Sequence, residues 1–119
     1  MSQPLFIQYA KCGTCRKAKN WLDEQGINYT DRPIVEQNPT KEELTLWIEM
    51  SKLPIKRFFN TSGLVYKALQ LKDKLPTLSI DEQIDLLASD GKLIKRPLLV
   101  GADYVLVGFK PENWEEVLL

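Results

Sequence analysis

Residues 4–31 read PLFIQYAKCGTCRKAKNWLDEQGINYTD, and the spacing of apolar positions changes twice within them. Leu5-Phe6-Ile7 is a short apolar run opening just after Pro4, the pattern of a buried strand. From Gly13 to Gln25 the spacing becomes helical: Cys15, Ala18 and Leu22 fall on one face, and Gly26 supplies a C-terminal stop. Ile27 to Asp31 then alternates apolar and polar residues, which predicts a second strand parallel to the first. The stretch reads as a βαβ unit whose first strand-to-helix turn carries Cys12 and Cys15, the only two cysteines of the chain.

Downstream, Thr40 and Glu43 form a T-x-x-E capping box opening a helix whose buried face is Leu44, Trp47 and Ile48. The pattern breaks near Pro54. Residues 55–77, with Phe58, Phe59, Leu64, Tyr66 and Leu69, read as short helices wrapped by loops. Ser79 and Glu82 make a second capping box, followed by Ile84, Leu87 and Ala88 at helical spacing, with Gly91 as the stop. The last third changes period again. Leu98-Leu99-Val100 and Tyr104-Val105-Leu106-Val107, joined by Gly101-Ala102-Asp103, predict a hairpin. A final helix has Pro111 in its first turn and Trp114, Val117 and Leu118 on one face. The order β-α-β, helices, β-β-α predicts an α/β architecture: a thioredoxin-like fold with a mixed four-stranded sheet and an inserted helical segment, as one domain over residues 1–119.

Composition sets limits on function. The chain has 119 residues, 44% hydrophobic and 27% charged, with 16 basic and 16 acidic residues. A formal charge of zero argues against nucleic-acid binding through a general basic field. The start of the chain lacks the basic-then-apolar pattern of a signal peptide, and no apolar run approaches the ~20 residues of a membrane span. The expected setting is the cytoplasm, where a cysteine pair does not serve as a structural staple.

The pair sits where a helix begins, so free backbone N–H groups and the macrodipole favour a negative charge on sulfur. Lys11, Arg16 and Lys17 place further positive charge nearby in sequence. Both effects lower a thiol pKa, chiefly for Cys12, the residue expected to be the more exposed. Cys15, one turn later, is placed to attack a mixed disulfide on Cys12. Zinc is one rival, but a structural site takes four Cys or His ligands, and two cysteines with no histidine would require a dimer. Two inert buried thiols are the other. Without histidine there is no Cys-His pair and no Ser-His-Asp triad. Lys95-Arg96-Pro97 precedes the hairpin: Arg96 could hold an anion through its planar fork, or be part of a solvated basic turn. In a thioredoxin-like fold a cis proline at the place of Pro97 faces the cysteines. Arg57, within Lys56-Arg57-Phe58-Phe59, is a weaker candidate.

The chain resembles the ArsC/Spx family over nearly its whole length. The markers are Cys12-Gly13-Thr14-Cys15-Arg16-Lys17-Ala18, Leu53-Pro54 with Phe58-Phe59-Asn60-Thr61-Ser62-Gly63, Lys95-Arg96-Pro97-Leu98-Leu99-Val100, and Gly108-Phe109-Lys110-Pro111-Glu112. The resemblance implies two activities. Arsenate reductases of the family attack arsenate with a cysteine at the place of Cys12 and hold the oxyanion with three arginines. Arg57 and Arg96 match two of those places, and Lys110 falls at the third, keeping the charge without the fork. Gln8 stands where those reductases have a histidine, and they generally lack a second cysteine at the place of Cys15. The Spx branch carries a C-x-x-C redox switch here and binds the RNA polymerase α subunit. The segment Leu53 to Leu69 looks more like ArsC-like reductases than like Spx.

The resulting expectation is a thiol–disulfide oxidoreductase of the ArsC-like, glutaredoxin-like kind. Cys12 would be nucleophile and Cys15 resolving thiol, with Arg96, Pro97, Arg57 and Lys110 at the substrate. It would need no metal or organic cofactor. Its partner would be a reductant such as a low-molecular-weight thiol or thioredoxin, and it would work as a monomer, away from nucleic acid and membrane. The alternative is an Spx-like redox-sensing transcriptional regulator binding the polymerase α subunit.

Overall fold

The computed structural model describes residues 3–119; Met1 and Ser2, the first two residues of the expected domain, lie outside it. Within residues 3–119 four strands, β1 (Leu5–Gln8), β2 (Thr30–Pro33), β3 (Leu98–Val100) and β4 (Val105–Val107), form one sheet in the order β2-β1-β3-β4. β2 runs parallel to β1, whereas β3 and β4 are antiparallel to their neighbours. Among the described residues six α-helices accompany the sheet: α1 (Gly13–Glu24), α2 (Lys41–Ser51), α3 (Leu64–Ala68), α4 (Leu71–Lys74), α5 (Ile80–Ser89) and α6 (Pro111–Leu118). Among the described residues no helix is long and apolar enough to cross a membrane.

Alternation along the central strands divides the core in two. Successive side chains of a strand point to opposite faces. Phe6 and Leu99 pack on one face with Ala18 and Leu22 of α1 and Trp114 of α6. Ile7 and Leu98 pack on the other with Leu44, Trp47, Phe58 and Leu87 from the inserted helices. Because both faces are covered, β1 and β3 read as unbroken apolar runs rather than as alternations. Both predicted capping boxes are present, Thr40 with Glu43 and Ser79 with Glu82.

Three readings are corrected. The second strand starts at Thr30, not Ile27. Gly26 has φ +69°, its N–H donates to Asp23 O at 3.2 Å, and the Ile27 N–H donates to Leu22 O at 3.0 Å. This is a Schellman closure, so Ile27 completes the helix end and packs in the same cluster as Leu22. The strand itself is polar because it is an edge strand. Gly91 does not cap α5, which ends at Ser89; instead a Cβ at Gly91 would run into the Ile34 carbonyl oxygen, so the glycine permits close approach. Of the final helix face only Trp114 is buried, and Val117 is 45% exposed. The inserted segment consists of short helices as expected, with Phe58, Phe59 and Tyr66 buried and Leu64 and Leu69 exposed.

A paired fork ties β2 to α2. Arg32 Nη1 and Nη2 donate to Glu43 Oε2 at 2.6 Å and Oε1 at 2.8 Å. The Arg32 hydrogen bonds, joined by the Thr40 N–H, hold the Glu43 carboxyl down at about 2. A depressed folded-state pKa contributes stability that is fully present above the unfolded value and is lost as pH falls through the folded one. Glu43→Gln is therefore expected to lower urea midpoints at pH 7, with the gap to wild type closing between about pH 4.5 and about pH 2. A gap that is constant across that range would show that the ion pair contributes nothing.

Candidate redox site

The turn between β1 and α1 is built by its own backbone. The Cys12 N–H donates to Tyr9 O at 2.9 Å, and the Arg16 N–H donates to Cys12 O at 3.1 Å to start the helix. Cys12 is thereby the N-cap of α1, with φ −96° and ψ 119°. Its Sγ accepts the Cys15 N–H at 3.4 Å, taking the place a Ser or Asp oxygen usually fills at a helix start. Cys15 lies inside the first turn, 2% exposed, and its Sγ accepts the Tyr9 N–H at 3.5 Å. Both cysteines are free thiols, and Cys12 is the more exposed, as the helix-start reading expects.

The two sulfurs are driven in opposite directions. Partial burial alone pushes the Cys12 thiol up, but a hydrogen bond from the Cys15 thiol, the Cys15 N–H, the Arg96 charge and the Thr14 N–H outweigh it, and the pKa lies below the ordinary value. Burial pushes Cys15 up to about 12, and the hydrogen bond and charge of Cys12 push the same way. A thiol of pKa about 12 is ionised to only on the order of one part in 10⁵ at pH 7. Desolvation separates the pair: one sulfur sits at a helix start within reach of water, the other beneath it.

The cation that acts on Cys12 comes from a distant part of the chain. Lys11, Arg16 and Lys17 are exposed, and Arg16 Nη1 donates to Ala10 O at 3.3 Å. Arg96 instead lowers the pKa of both cysteines. Its guanidinium lies over the Tyr9 ring, 4.8 Å from the centroid, and Nη1 donates to the carbonyls of Lys92 at 3.2 Å and Ile94 at 3.4 Å. Its position is set by β3. Leu98 pairs with Ile7, so one step earlier Pro97 stands level with Gln8, where the cysteine turn begins. The Arg96–Pro97 peptide bond is cis, and Pro97 O accepts the Gly108 N–H at 2.9 Å.

Arg96→Gln removes a charge that stabilises the thiolate. The Cys12 pKa is expected to rise, and alkylation at neutral pH to slow severalfold while the limiting rate at high pH is retained. A pH profile of iodoacetamide labelling measures both. An unchanged profile would mean that the Arg96 charge does not reach Cys12.

Arg57 and Lys110 line a cavity of about 470 Å³ along the edge strand β4, with Ser51, Leu53 and Asn113, and Arg57 also lines a second cavity with Phe59, Thr61 and Lys95. The one-turn helix Ile55–Phe58 commits Phe58 to the core, which turns Arg57 outward, and Lys110 is the N-cap of α6. Of the three expected substrate cations, Arg96 is the one that acts on the sulfurs. Beside Arg96 lies a different cavity, about 360 Å³, whose walls include Tyr9, Asn60, Ser62, Leu64, Val65 and Lys92. Asn60 and Ser62 were missed by sequence reasoning. The segment reaches Arg96 because it bridges to the chain just before it: the Asn60 N–H donates to Leu93 O at 2.8 Å and the Lys95 N–H to Phe58 O at 2.7 Å. The only signal in the sequence was the motif Asn60-Thr61-Ser62-Gly63, a turn whose Gly63 N–H donates to Asn60 O at 3.1 Å. Among the described residues no group of three or more His, Cys, Asp or Glu side chains is placed to hold a metal ion.

The family model of ArsC matches residues 7–117. The chain is 56% identical over 111 residues to the uncharacterized protein YusI of Bacillus subtilis (strain 168), covering 93% of this chain and 94% of that protein. It is 31% identical over 112 residues to the regulatory protein MgsR of the same strain, covering 93% and 87%. Among solved structures it matches an ArsC family related protein from Bacteroides fragilis with 61% identity and a TM-score of 0.94, covering 96% of each chain. An arsenate reductase from Vibrio cholerae matches with 28% identity and a TM-score of 0.87, covering 98% of each. The thioredoxin-like α/β fold expected from the element order is the fold found.

Proposed function

Because the chain belongs to the ArsC family, we propose that it works as a thiol–disulfide oxidoreductase through Cys12 and Cys15. The observation that carries this reading is the opposed pair of thiols, Cys12 below and Cys15 far above the ordinary value. Cys12 attacks one sulfur of a disulfide as the thiolate and expels the other half as a thiolate. Two of the influences that keep Cys15 protonated are the hydrogen bond and charge of Cys12 itself. Once Cys12 is held in a mixed disulfide its charge is gone, and Cys15 loses its proton more readily and attacks Cys12 Sγ. The products are an internal disulfide and a second released thiol. An external reductant, a low-molecular-weight thiol or thioredoxin, then restores the pair in a reducing, cytoplasmic setting, with no further cofactor. Arg96 and Pro97 shape the place where the disulfide enters. Arsenate is disfavoured as substrate because Lys110 stands at the place of the third arginine, Gln8 at that of the histidine, and Cys15 supplies a second thiol that arsenate reductases of the family generally lack.

Thiol labelling followed by peptide mass mapping tests the reading. At pH 7 iodoacetamide should modify Cys12 more than about tenfold faster than Cys15. Equal and slow modification of both would overturn it.

A second reading, a redox-sensing transcriptional regulator, is favoured by the similarity to MgsR across 93% of this chain. Here the internal disulfide would switch a surface that meets the RNA polymerase α subunit. Pull-down with the α C-terminal domain separates the two: binding that depends on oxidation supports the regulator, and turnover of a disulfide without binding supports the enzyme.

A further inference from the structure

The segment between α2 and α5 is the basic part of a neutral chain. Over residues 52–74, Lys52, Lys56, Arg57, Lys67, Lys72 and Lys74 stand against a single acid, Asp73. Among the described residues the ion pairs are made by Lys19, Arg32 and Lys41, so none of these six cations has an acidic partner. The acids that follow on α5 are engaged elsewhere: Asp81 and Asp85 meet Lys41, and the Glu82 carboxylate accepts the Ser79 N–H. Two of the cations, Lys56 and Lys72, border a cavity of about 260 Å³ whose other walls are mostly apolar: Pro54, Ile55, Leu75, Pro76 and the buried Tyr66. The last wall residue, Gln83, holds the 75–78 turn in place through Nε2, which donates to Leu75 O at 3.3 Å and Leu78 O at 3.2 Å. The Arg57 N–H donates to Pro54 O at 3.0 Å and fixes another wall, so the cavity exists before anything enters it. Lys56 also borders a neighbouring cavity of about 390 Å³ together with Arg57 and Lys95, and neither cavity has an acid on its walls.

We infer that this face docks an acidic protein segment carrying one large apolar side chain, with that side chain seated among Ile55, Tyr66 and Leu75 and the carboxylates along Lys72, Lys56 and Lys95. Three observations choose this occupant. The apolar cavity is smaller than the ~300–1,000 Å³ of ordinary small-molecule sites and suits a single anchoring side chain. The cations continue through Lys56 into the next cavity, so the partner extends beyond its anchor. A nucleic acid would stack its bases on exposed aromatic rings, but Phe58, Phe59 and Tyr66, the aromatic residues of this segment, are buried. An apolar centre ringed by uncompensated charge of one sign is the arrangement that anchors a partner of opposite charge. The inference concerns a binding surface and is independent of the cysteine chemistry.

Fluorescein-labelled peptides test it by anisotropy on the full chain: EDELFEDE, EDESGEDE with the same charge and no anchor, and KRKLFKRK with the anchor and the opposite charge. The first should bind more than about tenfold tighter than the second, the worth of burying one large apolar side chain. The third should not bind. Equal affinities for the two acidic peptides, or binding of the basic one as tightly as the first, would overturn the inference. Lys56→Glu combined with Lys72→Glu, both exposed positions, should weaken the first peptide by about tenfold or more. Lys17→Glu, exposed on α1, should change it by less than about twofold. A double variant that binds like wild type would also overturn it. Backbone amide shifts on titration with the first peptide should move at Ile55, Lys56, Tyr66, Lys72 and Gln83. Shifts confined to the cysteine turn would place the binding elsewhere and sink the proposal. So would no binding of the first peptide at about 1 mM, or tighter binding of an oligothymidylate or of phosphatidylserine vesicles, which would assign the face to nucleic acid or to a membrane.

Discussion

Cys12→Ser is expected to abolish disulfide turnover, with a loss of more than about 10³-fold, because a serine hydroxyl at this helix start remains un-ionised at neutral pH and is a far weaker nucleophile than a thiolate. Cys15→Ser should fail differently. Cys12 keeps its Cys15-position N–H, the Arg96 charge and the Thr14 N–H, so it still attacks. The first thiol is released once, and the protein accumulates as a mixed disulfide because no second sulfur lies beneath Cys12 to displace the other half. Mass spectrometry and the stoichiometry of released thiol distinguish the two variants. One equivalent of thiol followed by arrest is the expected result for Cys15→Ser. Sustained turnover at the wild-type rate would show instead that an external thiol resolves the intermediate and that Cys15 has no part in the cycle.

The largest effect on stability is expected from Trp114→Ala. Trp114 is 1% exposed. It meets Phe109 edge to face at 4.9 Å and Trp21 at 6.1 Å, and its indole N–H donates to Gly108 O at 3.2 Å. Truncating a buried tryptophan costs about 3–5 kcal/mol, and the orphaned Gly108 carbonyl adds about 1 kcal/mol. Urea unfolding should show a lower midpoint with an unchanged slope. The effect should also reach the redox site. Gly108, at φ +72°, donates its N–H to Pro97 O, so the tryptophan steadies the turn that abuts Arg96-Pro97. Trp114→Phe keeps an aromatic contact and should lose markedly less. Equal losses for Phe and Ala would mean that the indole hydrogen bond, rather than aromatic packing, dominates.

Much of the scaffold is legible locally. The C-x-x-C turn, both capping boxes and the Gly26 stop depend on residues three or four apart, whose hydrogen bonds form within a single turn of backbone. The apolar runs at Leu5-Phe6-Ile7 and Leu98-Leu99-Val100 mark strands covered on both faces, because only such strands have no side to leave polar. The start of β2 was misplaced because Ile27 serves the helix end, and its apolar character is indistinguishable in sequence from that of a strand residue. Gly91 was misread for a similar reason: a glycine that admits a neighbouring carbonyl looks the same as one that ends a helix.

By itself the sequence determined the order of elements, the family and the placing of two thiols at a helix start, since all three follow from periodicity, capping and short-range spacing. Only the tertiary structure decided which charge those thiols feel. Lys11, Arg16 and Lys17 are the nearest basic residues along the chain, yet Arg96 acts on the sulfurs, brought there by the pairing of β3 with β1. Only the tertiary structure, likewise, turned Arg57 and Lys110 toward β4 and brought Asn60 to the side of Arg96 through the pairing of residues 58–60 with 93–95. The physical reason is that electrostatic influence depends on distance through space and on burial. Neither is carried by spacing along the chain, where one surface arginine looks like another.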